Sequence, residues 1–161
     1  MIVLDELIAC VIESLAAITA PRLFQTERGY QGALLAQLDR RLRLPDHAIV
    51  EQEYQKQAGV HGLTIRPDIV IHEPFNPARH AGRAEGNLAV IELKRKATPA
   101  DAVADFESLR SMLELLRYRV GIFVNIDADT THAELVPASI RGRVVCFAVA
   151  LVNGRADVIR H

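Results

Sequence analysis

The chain lacks an excess of charge of either sign: 19 lysines and arginines oppose 20 aspartates and glutamates across 161 residues, a formal net charge of −1. The field of the whole molecule therefore does not gather polyanions, and any such partner has to be met by a local basic patch or by bound metal. Cysteine is scarce. Cys10 and Cys146 each sit in an apolar segment, lack the paired spacing of a zinc site, and read as small core residues of a reducing, cytoplasmic compartment. The six histidines are scattered without ligand spacing, which excludes a zinc centre. There is no glycine-rich phosphate loop, no nucleophile elbow, no internal repeat and no low-complexity stretch. A long apolar run is missing as well. The apolar first twenty residues end in Ile18-Thr19-Ala20, a faint likeness of a signal-peptide cleavage site. No positive region precedes them, however, and Asp5, Glu6 and Glu13 interrupt the run. Such a segment is too broken to span a bilayer, so no membrane partner is expected.

What is present suits one domain over residues 1–161, with half the residues apolar and enough length for a proper core. Leu4, Ile8, Val11, Leu15 and Ile18 recur at helical spacing, predicting an amphipathic helix from Ile2 to Ile18 within residues 1–20. Its alternating four-three steps suit pairing with a second copy as well as covering the domain's own sheet. Thr26 is a helix N-cap, and the helix it opens runs past a weak point at Gly29 to Arg43, before Pro45. A polar strand follows over Ala48 to Gln55, as expected of a sheet edge, then a turn at Gly59 and Gly62, then a strand over Pro67 to His72. Residues 73–87 read as a long loop, and Leu88 to Leu93 as a buried central strand. Thr98-Pro99-Ala100-Asp101 starts a helix whose apolar stripe is Val103, Phe106, Leu109, Leu113 and Leu116. A strand over Val120 to Ile126 completes a right-handed parallel crossover. The chain ends in a hairpin, Val144 to Val152 and Ala156 to Ile159, around Asn153-Gly154. The order ααβββαβββ describes an α/β fold, a mixed sheet flanked by helices.

Chemistry concentrates at one end of the central strand. Glu92 and Lys94 are two residues apart and share a face, with Ile91 and Leu93 on the other. Paired charges at the end of a buried strand are costly without a partner or a task. Asp68 opens the preceding strand, so antiparallel pairing sets it beside Glu92 and Lys94. Glu27 and Gln31 extend the stripe of Leu34, Leu38 and Leu42 on the second helix, directing a carboxylate inward. Glu13 is its competitor, set aside because Gln31 accompanies Glu27.

Pro67-Asp68 followed by Glu92-Leu93-Lys94 on the next strand, with a helical glutamate before and helix and strand after, resembles the PD-(D/E)xK nuclease superfamily over residues Thr26 to Ile126. The resemblance implies a restriction-endonuclease-like fold and Mg²⁺-dependent hydrolysis of phosphodiesters, with Mn²⁺ as a substitute. Asp68 and Glu92 would be metal ligands, joined by the backbone carbonyl of Leu93, with Glu27 binding a metal or its water. Lys94 would orient or deprotonate the attacking water. Oxygen ligands of this kind suit Mg²⁺, which retains several waters. The implied partner is nucleic acid, DNA ahead of RNA, with homodimers setting two sites against two strands.

Around this centre, Gln31, Arg79, Arg83, Arg95 and Lys96 are the candidates for substrate contacts. Tyr30 reads as core, His72 lies at the far end of its strand, and Asp127 and Asp129 read as loop acids. The alternative in a different functional class is a catalytically silent nuclease-fold module that binds nucleic acid or regulates a partner, which the near-neutral charge favours.

Overall fold

The computed structural model describes residues 3–52 and 65–161. The turn expected at Gly59 and Gly62 and the end of the strand expected over Ala48 to Gln55 lie outside them. Helix α1 spans Leu4–Ala16, α2 Glu27–Arg41 and α3 Pro99–Leu115. The strands are β1 Ile49–Gln52, β2 Ile69–His72, β3 Asn87–Arg95, β4 Val120–Ile126, β5 Val144–Val152 and β6 Arg155–Arg160. Among the described residues the order is ααβββαβββ, with short 3-10 segments at Pro21–Gln25, Ala133–Leu135 and Arg141–Arg143.

The six strands form one sheet in sequence order. β1–β2, β2–β3 and β5–β6 are antiparallel, while β3–β4 and β4–β5 are parallel, so the sheet is mixed. Every residue of β4 is buried, as an apolar run without alternation requires of a strand covered on both faces. The polar β1 is half-exposed at one edge. The final hairpin turns through Asn153 at φ 52° and Gly154 at φ 76°, the left-handed pair of a type I′ turn.

Alternation sorts side chains into two layers. Ile69, Ile71, Ile91, Leu93, Ile122 and Val124 face α1 and α2, whereas Val70, Val90 and Phe123 face α3. Ile8, Val11, Leu15 and Ile18 are buried in the first layer, so the α1 stripe covers its own chain and only Leu4 of that set is exposed. α3 opens with a capping box between Thr98 and Asp101. Its buried stripe is Ala102, Phe106, Leu109, Met112, Leu113 and Leu116, with Val103 45% exposed. The expected Val103 is thus one residue off, about 100° around the helix from Ala102. α2 is capped by Thr26, whose hydroxyl accepts from the Gly29 N–H at 3.0 Å. A Cβ on Gly29 would stand 2.7 Å from that hydroxyl, so the glycine makes room for the cap.

Candidate active site

The β2–β3 register builds the site. Ile69 pairs with Ile91, which sets Asp68, one residue ahead of β2, opposite Glu92. Both continue the face of Val70 and Val90, and Lys94 follows two residues on. The Asp68 carboxylate accepts the Leu93 N–H at 2.7 Å. In a strand the N–H and C=O of one residue leave on the same edge, so the Leu93 carbonyl points along the edge that Asp68 occupies. Gln31, 4% exposed on α2, donates to the Asp68 backbone carbonyl at 2.9 Å and so fixes the acid's main chain. Glu27 reaches around the strand end: one oxygen accepts the Arg95 N–H at 3.3 Å and the other lies 3.7 Å from Lys94 Nζ.

The electrostatics are those of crowded acids. Glu92 is 7% exposed, and burial, reinforced by the charges of Asp68 and Asp105, pushes its carboxyl well above the ordinary range. A side-chain hydrogen bond links the Glu92 and Asp68 carboxyls, and the Asp68 N–H donates to Glu92. Burial also raises Asp68, against the Leu93 N–H bond that lowers it. Burial alone would pull Lys94 down. The carboxylates of Asp105, Glu27, Asp68 and Asp101 outweigh that effect and hold the amine above its usual value, as an ammonium.

These groups line a cleft of about 350 Å³ together with Arg66, Asp105 and Ser108. Asp105, on α3, was not singled out from the sequence. Burial pushes its carboxyl up to about 6, and its Oδ2 is buried with no hydrogen-bond partner among the described residues. The available signal was its place beside Phe106, one turn after Asp101 and one before Ser108. Asn125 was also passed over, inside an apolar run. It is fully buried at the β4 position paired with Lys94, accepts the Ala97 N–H at 2.9 Å and donates to the Thr130 carbonyl at 2.8 Å. The first bond pins the turn that follows β3, and the second the loop that follows β4.

Other expected contacts are placed differently. Arg79 and Arg83 sit on the loop joining His72 to Asn87, at the opposite end of β3. That is roughly 17 Å along the strand from Glu92 at about 3.3 Å per residue. Arg79 pairs there with Glu73, and Arg83 covers the Phe75 ring. Arg95 donates to the Phe24 carbonyl and pairs with Asp127, which Lys96 joins at 3.2 Å. Asp127 is accordingly the counter-ion of this basic run. Gln31 is buried behind Asp68, out of reach of a ligand in the cleft. Tyr30 is core, packed edge-on against Phe24. Asp129 lines a separate groove of about 630 Å³ with Arg141 and His161.

Among the described residues, no three acidic, histidine or cysteine side chains are gathered closely enough to hold a metal ion as they stand. The donors nonetheless fit a hard divalent cation in another way. Two hydrogen-bonded carboxyls and a carbonyl on the same edge offer only oxygen, the cleft leaves room for retained waters, and Asp105 adds a further carboxylate to its lining. No helix among the described residues is long and apolar enough to cross a membrane.

No protein-family model matches the chain, and no curated protein matches it in sequence. Among solved structures it is similar to E. coli MS115-1 NucC in its cAAA-bound form, with a TM-score of 0.52 and 15% identity, covering 100% of this chain and 84% of that one. At this identity the likeness concerns the fold alone, a mixed sheet flanked by helices that is restriction-endonuclease-like.

Proposed function

We propose that the chain hydrolyses phosphodiester bonds of nucleic acid with a divalent cation held by Asp68 and Glu92. The observation that carries this reading is the hydrogen-bonded Asp68–Glu92 carboxyl pair, Glu92 buried and Asp68 half-buried, with Lys94 on the same face, at the mouth of a cleft in a restriction-endonuclease-like fold. Two carboxyls crowded this closely are an unfavourable use of largely buried space unless a cation lies between them.

Asp68, Glu92 and the Leu93 carbonyl would hold Mg²⁺ or Mn²⁺. When bound, such an ion lowers the pKa of water and neutralises charge on the phosphate. The protein supplies the rest. The Leu93 N–H and the Gln31 amide lock Asp68 in place, so little reorganisation is needed on binding. Lys94 remains an ammonium and serves to orient water and meet charge developing on phosphate oxygens. Glu27 holds that ammonium over the cleft. Arg66 on the rim offers a guanidinium to a flanking phosphate. Two copies acting on a duplex would have to meet through a surface other than the buried α1 stripe.

The test is incubation of purified protein with labelled DNA and RNA, single- and double-stranded, in Mg²⁺ and in Mn²⁺. Cleavage of DNA that EDTA abolishes and that Lys94→Ala depresses by about 10²–10⁴-fold is expected. No cleavage of any of the four in either metal would transfer the chain to the silent binding-module class.

A further inference from the structure

Asp105 is the acid in the cleft that no described hydrogen bond or ion pair holds, although its charge acts on Lys94. It is the seventh residue of α3, beyond the first turn where a helix dipole stabilises a carboxylate; Asp101 has that position and is engaged in the capping box. Its neighbours on the same helix, Ala102, Phe106 and Leu109, are fully buried core. Its Oδ2 is shut off from solvent without a hydrogen-bond partner among the described residues, an arrangement native proteins avoid unless the oxygen has a use. No ion pair within 4 Å ties it to Lys94, whose near partner is Glu27 on the other side. The helix nonetheless sets Asp105 and, one turn on, Ser108 over the same cleft as Asp68 and Glu92. Glu27 enters from the α2 side of the sheet and Asp105 from the α3 side, so the strand-end acids lie between two outer carboxylates.

From this placement, and resting on the proposed function, we infer that Asp105 is a positioning residue of the metal centre. Through the part of its carboxylate that lines the cleft, it accepts hydrogen bonds from waters carried by the divalent cation that Asp68 and Glu92 hold, on the side opposite Glu27. An outer oxygen of this kind orients the hydrated ion, and its removal weakens metal binding without abolishing it. A purely structural aspartate would behave otherwise, since taking away an unpartnered buried charge relieves the fold and leaves metal binding alone.

The test is calorimetric titration of Mn²⁺ into the full chain as wild type, Asp105→Asn and Asp105→Glu, with thermal melts of each in EDTA. Asp105→Asn is expected to lose about 10–100-fold in Mn²⁺ affinity. Asp105→Glu, which keeps a carboxylate on the same helix face, should recover most of that loss. The EDTA melts establish that Asp105→Asn remains folded, so a lost affinity cannot be a lost fold. Equal Mn²⁺ affinity in wild type and Asp105→Asn overturns this inference and leaves the functional reading intact. Absence of Mn²⁺ binding by the wild type overturns the functional reading, and the inference with it.

Discussion

Replacing Asp105 by asparagine in metal-free protein gives a stability change whose dependence on pH follows from the site. The Asp105 carboxyl is pushed up to about 6 from an ordinary 3.8, by burial first and then by Asp68, Glu27 and Asp101, with Lys94 opposing. Its folded-state pKa therefore exceeds the unfolded one. Between those values the folded chain binds more protons, so stability falls as pH rises from about 4 to about 6 and is level above about 7. A shift of about two units corresponds to roughly 3 kcal/mol at 1.36 kcal/mol per unit. Because the side chain is only half-buried, screening reduces this to about 1–2 kcal/mol. For a domain of this length that is about 3–6 °C in Tm. Thermal melts in EDTA from pH 4 to 8 should show the advantage of Asp105→Asn over wild type growing by that amount between pH 4 and 7. A difference that is constant across the range, or that shrinks as pH rises, would refute the reasoning.

Gln31→Leu leaves the Asp68 carbonyl without its buried donor, so stability should fall by about 1–3 kcal/mol in urea unfolding, with weaker Mn²⁺ binding because Asp68 loses its anchor. Gly86→Ala serves as a control at the far end of the sheet. Gly86 has φ +82°, and an added Cβ would stand 2.8 Å from the Glu73 Cβ, so the variant should lose more than about 1 kcal/mol while its Mn²⁺ affinity stays at the wild-type level. Glu92→Gln should raise Tm in EDTA at pH 8 by removing a buried carboxyl raised by burial and by Asp68, and should lose the further Tm increase that Mg²⁺ gives the wild type.

The central part of the fold was legible because its signals are local and repeated. The unbroken apolar runs at Leu88 and Val120, the Thr98-Pro99 helix start between them and the Asn153-Gly154 turn each admit one structure, and the parallel crossover follows. Asp68, Glu92 and Lys94 were legible for the same reason: period-two alternation along β3 together with antiparallel pairing brings them to one strand end. The basic residues were not. Arg79 and Arg83 read as loop cations near an acid cluster, but the loop spans the end of the β2–β3 pair where His72 meets Asn87, away from Asp68. Arg95 alternates away from Lys94, and its guanidinium meets Phe24 and Asp127 instead. Asp105 escaped notice because one aspartate beside a helix's apolar stripe has no periodic signature, and its importance comes from the packing of α3 over the strand ends. Gln31 was read as a ligand contact because a polar side chain in line with an apolar stripe can face a cleft or a backbone carbonyl with equal ease. Only the position of the Asp68 main chain decides between them.

The central claim, that Asp68 and Glu92 form a divalent-metal centre, is tested most directly by anomalous diffraction from crystals of the full chain soaked in Mn²⁺ near pH 7. One strong peak is expected in contact with both carboxylates and the Leu93 carbonyl, with Lys94 beside it and unbound to the ion. Crystals saturated with Mn²⁺ that show no peak at this pair, or a peak elsewhere only, would contradict it.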